Sequence, residues 1–257
     1  MKLEGNTILI TGGSSGIGFE FAKELHHRGN TVIITGRDKA KLERAQKLVP
    51  GLRVFQSDVS RVEDIEALYQ YVISTFPQLN VLFNNAGVMR IVNFLKEEGS
   101  LEDFTAEIDI NIKGPVRMTR RFLPELKKKT NAAIVNVSSG LAFVPFPVSP
   151  IYCATKAALH SFSLSLRAQL ANTNVRVFEI APPATETELL GAFEPGDMEG
   201  VSIMKVEDMV RTSLKGLAHD RYEIRPGQSN QLKLMNRLAP EFIFSQLSKP
   251  LSKMLER

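Results

Sequence analysis

The chain has 257 residues, 43% of them hydrophobic and 23% charged, with a formal net charge of +4; this suits one sizeable globular core and excludes a disordered chain. The pI is near 9.1, yet the basic residues are dispersed and the densest run, Lys127-Lys128-Lys129, reads as the polar end of a helix, so no nucleic acid is expected as partner. A single cysteine, Cys153, excludes an intrachain disulfide, and no apolar stretch approaches the ~20 residues of a membrane span, so a cytoplasmic protein is expected.

In chain order, the β-branched run Thr7–Thr11 predicts a first strand and is too short for a signal-peptide core. A glycine-rich turn follows, then a helical pattern from about Ile17 to Arg28. Thr31–Thr35 predicts a second strand, with a helix continuing through Leu48. Arg53–Phe55, Val81–Phe83, Ala133–Val137 and Val175–Ile180 continue the strand series. Runs this apolar, separated by helices, predict parallel strands covered on both faces. The expected architecture is α/β: a Rossmann-type, doubly wound, mostly parallel sheet with helices on both faces, in one domain. That domain is expected over residues 1–229, including a substrate loop at 188–205, with an amphipathic helical tail at 230–257.

The first turn reads Thr11-Gly12-Gly13-Ser14-Ser15-Gly16-Ile17-Gly18. Glycines between a strand and a helix let backbone approach a pyrophosphate, and the helix start adds oriented N–H groups. The second strand ends in Thr35-Gly36-Arg37-Asp38. An acid directly at the strand end would pair with the ribose 2′-hydroxyl of NAD, whereas the guanidinium of Arg37 suits a 2′-phosphate, so NADP(H) is the expected cofactor and NAD(H) the alternative. In the bland reading, Arg37 is a solvated turn residue and Asp38 a helix cap.

Further along, Tyr152 and Lys156 stand four apart at the start of a helical pattern and share one face. An ammonium so placed favours tyrosinate and lowers the phenol pKa. Such a tyrosine can act as general acid for carbonyl reduction or as base in reverse. Asn136-Val137-Ser138-Ser139-Gly140 ends a strand thirteen residues upstream of Tyr152, counted from Ser139, and offers a hydroxyl to a substrate oxygen. Cys153 reads as a packing residue, and His26, His27, His160 and His219 show no metal-ligand spacing, so no metal is expected.

The glycine turn, Asn84-Asn85-Ala86-Gly87, Asn111, Ser139, and Tyr152 with Lys156 occur in an order and spacing that resemble the short-chain dehydrogenase/reductase family. The resemblance spans roughly residues 5 to 190 and implies these roles. Gly12, Gly16 and Gly18 form the pyrophosphate turn with Ser14, Ser15 and Ile17 beside it. Asp58 and Val59 meet the adenine. Asn85, Ala86 and Gly87 line the cofactor and steady the central strand. Asn111 bends its helix and holds a water in a proton relay. Ser139, rather than Ser138, positions the carbonyl oxygen. Tyr152 moves the proton, and Lys156 holds the nicotinamide ribose and tunes Tyr152. Pro182, Thr185 and Thr187 complete the cofactor set, with Thr187 matching the residue that contacts the carboxamide. A homodimer or homotetramer through the helices around 103–128 and 152–171 is implied as well.

The chain departs from the family at Pro183, which replaces a flexible glycine, and in its tail. The double proline and the tail resemble the DltE-like branch, associated with D-alanylation of cell-wall polymers. Leu232, Met235, Leu238, Phe242, Ile243, Leu247, Leu251, Met254 and Leu255 form an apolar stripe interrupted near Pro240 and Pro250, flanked by Lys233, Arg237, Lys249, Lys253 and Arg257. Packing on the domain or on a second subunit is the expected use of the tail; a membrane-surface contact is the alternative. Leu189, Leu190, Phe193, Met198, Val201, Ile203 and Met204, together with Phe143, Phe146 and Val148, fit an apolar small-molecule substrate or, equally, a lid over a small polar one, with Glu188, Glu194, Asp197, Glu199 and Lys205 as the charges nearby. The expected activity is hydride transfer between nicotinamide and a carbonyl or alcohol. The competing reading, a non-enzymatic dinucleotide-binding sensor or scaffold, has to accommodate the filled catalytic positions.

Overall fold

A computed structural model describes residues 1–96, 100–193 and 201–255. The alternation read from sequence becomes β1 (Thr7–Thr11), α1 (Gly16–His27), β2 (Thr31–Gly36), α2 (Lys39–Leu48), β3 (Arg53–Gln56), α3 (Val62–Thr75) and β4 (Leu79–Asn84). Then follow α4 (Leu101–Ile108), α5 (Gly114–Leu126), β5 (Ala132–Val137), α6 (Pro150–Gln169), β6 (Val175–Ile180), α7 (Val206–Ala218), β7 (Glu223–Ile224), α8 (Ser229–Leu238) and α9 (Pro240–Leu255). A π-helical turn at Asp109–Lys113 joins α4 to α5. Expectations placed on Glu194, Asp197, Met198, Glu199 and Arg257, and on the side chains of Lys253 and Met254, lie outside the described residues.

The strands form one seven-stranded sheet in the order β3-β2-β1-β4-β5-β6-β7, and every ladder is parallel. The order in which strands are added reverses between β1 and β4, which leaves a crevice beyond their carboxyl ends where α/β sheets place ligands. Alternate side chains of one strand serve two cores. Ile8 and Ile10 of β1 meet Phe21 and Leu25 of α1 and Leu214 of α7 on one face. Leu9 meets Leu68 of α3 and Met118 and Phe122 of α5 on the other. Both clusters are closed to water, which is why the strands lack the polar alternation of a half-exposed sheet. Phe122 has no exposed surface, so Phe122→Ala should cost about 3–5 kcal/mol.

The tail breaks at Ala239 and restarts with Pro240 as the first residue of α9, where a missing N–H has no helical partner to lose. Pro250 does not break it; α9 continues to Leu255. No helix among the described residues is long and apolar enough to cross a membrane.

Candidate active site

The crevice at the β1/β4 ends is a cleft of about 470 Å³. Its floor is the glycine turn. Gly12 has φ +64, and a Cβ there would come 2.8 Å from Ala86 Cα; a Cβ on Gly18 would come 2.3 Å from the Gly12 carbonyl oxygen. Only bare backbone fits, and it leaves the N-terminal turn of α1 facing the cleft. Ser15 precedes that helix in extended conformation, and its side chain caps no N–H. The first amides of α1 therefore remain available to an anion. This cradle fits the pyrophosphate of a dinucleotide.

Thr11 and Asn85 lock the two strand ends together. The Asn85 and Ala86 N–H groups both donate to Thr11 Oγ1 at 3.1 Å, while Asn85 Nδ2 donates to the Thr11 and Gly12 carbonyls at 2.9 and 3.0 Å. Next to them, Asn84 Nδ2 donates to Asn136 Oδ1 at 2.8 Å, and Asn136 Nδ2 to Ser163 Oγ at 2.9 Å. The asparagines singled out in the sequence thus stitch β1, β4, β5 and α6.

Ser14, Ser15, Gly16, Ile17, Arg37, Asp58, Val59, Asn85, Ala86, Gly87, Tyr152, Lys156 and Thr187 all line this cleft with Gly12 and Gly18. Pro182 and Thr185 do not; they line a second cavity of about 470 Å³ beside it. Arg37 pairs with no carboxylate among the described residues, whereas Asp38 caps α2 by accepting the Lys41 N–H at 3.0 Å. The helix-cap reading of Asp38 therefore holds alongside an unpaired Arg37 at the cleft rim. Lys41 lines the same corner, and its ammonium reaches Glu188 across the mouth at 2.5 Å. Sequence reasoning missed Lys41, because one lysine in an exposed helix carries no signal until α2 is placed.

At the other end, Tyr152, Lys156 and Ser139 are all buried. The Lys156 ammonium donates to the Val137 carbonyl at 2.9 Å and lies 5.6 Å from the Tyr152 ring centre. Burial pushes Lys156 down to about 8, opposed by the charges of Glu179 and Glu107. Burial also pushes the Tyr152 hydroxyl above its ordinary range, and its hydrogen bond with Ser139 offsets part of that. Burial is the dominant influence on Tyr152 and acts opposite to the lowering expected from Lys156.

Both serines reach the cavities, but their hydroxyls are spent differently. Ser138 donates its hydroxyl to Glu179 Oε1 at 2.5 Å, inside the sheet. Ser139 accepts the Leu141 N–H at 3.1 Å, faces Tyr152 and lines the second cavity. Asn111 lies in the π turn and is wholly buried. Its Oδ1 accepts the Val88 N–H at 2.9 Å, and its Nδ2 donates to the Val88 carbonyl at 2.8 Å and to Thr155 Oγ1 at 3.1 Å. Both amide hydrogens are spent on protein, so the side chain clamps Val88 and has none left to donate to a relay water. Cys153 accepts the Phe146 N–H at 3.2 Å and burial pushes its thiol up to about 11, which suits packing rather than nucleophilic work.

Two groupings were illegible in sequence. His160, Glu179 and Glu223 bring ligand atoms within 4.8 Å of one another, although 63 positions separate the first from the last by number (223 − 160). His160 Nδ1 lies 2.7 Å from Glu179 Oε2, while Arg225 and Lys233 neutralise Glu223. The histidine spacing that suggested no such cluster is corrected by the fold, although the two cations already supply its positive charge. The second is the use to which the tail's apolar stripe is put. Leu232 and Met235 of α8 and Ile243 and Leu247 of α9 wall the second cavity opposite Ser139 and Tyr152.

Residues 6–198 match the family model of the short chain dehydrogenases. The chain is 43% identical over 250 residues, 96% of this chain and 98% of its relative, to DltE of Bacillus subtilis (strain 168), described as an uncharacterized oxidoreductase. It is similar to the structure of a short chain dehydrogenase from Burkholderia cenocepacia J2315 in complex with NADP, with 27% identity, TM-score 0.82 and 96% and 99% of the two chains covered. A 3-ketoacyl-(acyl-carrier-protein) reductase from Brucella melitensis complexed with NADH superposes with 29% identity and TM-score 0.79, covering 89% and 100%.

Proposed function

Because the chain belongs to the short-chain dehydrogenase/reductase family, in its DltE-like branch, and is an NAD(P)-dependent oxidoreductase, we propose that it transfers hydride between NADP(H) and an apolar carbonyl or alcohol. The observation that carries this reading is the meeting of Ser139 and Tyr152 where two cavities adjoin, one built on a glycine turn and the other walled mostly by apolar side chains with Gln228, Gln231 and Gln246 among them.

The nicotinamide, when bound, supplies the hydride; the protein's work is alignment and proton handling. Tyr152, held neutral by burial, gives its hydroxyl proton to the oxygen of the reduced carbonyl. Ser139 steadies that oxygen. Lys156 compensates the tyrosinate left behind. Asn111 fixes Val88, and through it the wall of the cofactor cleft. Gly12, Gly16 and Gly18, with the start of α1, would hold the pyrophosphate, and Asp58 and Val59, which line the same cleft, would meet the adenine.

Arg37, unpaired at the rim, supports preference for the 2′-phosphate, with Lys41 beside it. Relatives of this fold carry NADP in one case and NADH in another, so the preference rests on these cations. The outer faces of α5 and α6 expose Val116 and Leu164, which supports a homo-oligomer packed through those helices. Titration with NADPH and with NADH, read by nicotinamide fluorescence, tests the cofactor assignment. Tighter NADPH binding that disappears in Arg37→Ala is expected; preference for NADH would overturn the Arg37 role, and binding of neither would overturn the enzyme reading of this site.

A further inference from the structure

The second cavity has two ends of different character. One is closed: Ser139, Phe146, Tyr152 and Pro182 line it and are buried. The other is open. Of the described residues lining the cavity, Gln231 of α8 and Lys249 of α9 are the exposed ones, so the mouth lies between those two helices. One helix serves both ends. Leu247 of α9 packs on the buried cluster that holds Phe146 and Tyr152, and Lys249 stands two residues further on.

The polar groups of this wall are few and unspent. The side-chain amides of Gln228, Gln231 and Gln246 hydrogen-bond to no group among the described residues. Lys249 pairs with no carboxylate among them, and it is the one charged side chain of the described lining. An exposed lysine is ordinarily a solvated charge. This one stands at the entrance to an otherwise uncharged chamber that ends on the catalytic hydroxyls. An apolar wall rewards buried area and distinguishes poorly between molecules of similar shape. Charge at the entrance supplies a choice that the wall cannot make.

We infer that the substrate is an amphiphile, a carbonyl or alcohol on an apolar body whose far end carries an anionic group read by Lys249, Gln231 and Gln246. This rests on the oxidoreductase reading of the same site and adds the class of molecule that fits it. The carbonyl goes to the closed end, where its carbon gains hydride from the nicotinamide and its oxygen gains the Tyr152 proton. The apolar body lies along the wall. The anionic group stays at the mouth, where it keeps much of its hydration and no charge is buried. It takes no part in the chemistry, so Lys249 sets specificity and leaves the reacting atoms alone.

The test uses two probes of one shape: ω-hydroxydecanoate and its amide, ω-hydroxydecanamide. Each is titrated by calorimetry into protein saturated with NADPH, because an alcohol and the reduced cofactor cannot react. Wild type should bind the acid about three- to fivefold more tightly than the amide at low salt, and the difference should shrink as salt is raised. Lys249→Gln should make the two affinities equal, and Lys249→Glu should reverse their order; both changes lie on the surface and leave the core intact. Leu247→Trp, which fills part of the chamber, should weaken acid and amide alike. Equal binding of the two probes to wild type would overturn the proposal. So would binding of neither, a preference that survives Lys249→Glu, or probe affinities untouched by Leu247→Trp. Failure of wild type to bind NADPH would instead overturn the reading on which the proposal rests.

Discussion

A methyl group on Gly140 would come within 2.7 Å of Ser229 Oγ, so the turn that follows Ser139 and the first residue of α8 are packed against each other. Leu232 stands next to them, 3.1 Å from the same point. Gly140→Ala should displace α8 from the catalytic turn at a cost of about 1–3 kcal/mol. NADPH affinity should persist, because the cofactor cleft does not include α8. Thermal denaturation and limited proteolysis of the tail would show it. Ser229→Ala in the same chain removes the clashing oxygen, which makes no hydrogen bond in the protein, and should restore most of the stability.

Tyr152→Phe removes the hydroxyl and little else from a buried site. Turnover should fall by about 10²–10⁴, while nicotinamide fluorescence on NADPH binding stays as in wild type. Retained turnover would displace Tyr152 from the proton-donating role.

Arg37→Ala should weaken NADPH by about 1.5–3 kcal/mol, the range of a charge-assisted hydrogen bond, and leave NADH unchanged. Lys41→Ala should add a smaller loss, since its ammonium is already engaged with Glu188. Both are read in the same pair of titrations.

Lys156 links function to stability. Its folded value of about 8 lies below the ordinary 10.5, so the unfolded chain binds the extra proton more readily. Burying the ammonium therefore destabilises the fold most below pH 8, and the cost fades as pH rises from 8 to 10.5. Lys156→Met should be inactive yet more stable by up to about 3 kcal/mol near neutral pH. That advantage should shrink toward alkaline pH in denaturant melts. A variant less stable than wild type at neutral pH would show that Glu107 and Glu179 depend on the cation more than the cation suffers from burial.

Much of this was readable before any coordinates. Val175–Ile180 matches β6 at both ends, and α1 differs from its expected bounds by one residue at each, because uninterrupted β-branched runs and amphipathic periods are local signals. Gly12 and Tyr152–Lys156 were legible for the same reason: turn chemistry and helical spacing need only neighbours in sequence. Asn111 could be located, but that its amide spends both hydrogens on Val88 and Thr155 could not, since those partners arrive from a loop and from α6. Glu107 and Glu179 look like ordinary helix and strand residues until packing buries them. The tail's apolar stripe was visible, whereas its service as a cavity wall depends on where α8 docks.

Ile17, Ser138, Tyr152, Thr187 and Leu189 line both cavities, so the two chambers share a partition. A ligand in one presses on the side chains that bound the other. Occupancy of the two is therefore linked, and linkage is symmetric: whatever factor a nicotinamide cofactor applies to the affinity of a molecule in the second chamber, that molecule applies to the cofactor. The partition makes the order in which the chambers fill a property of the protein's energetics as well as of its geometry.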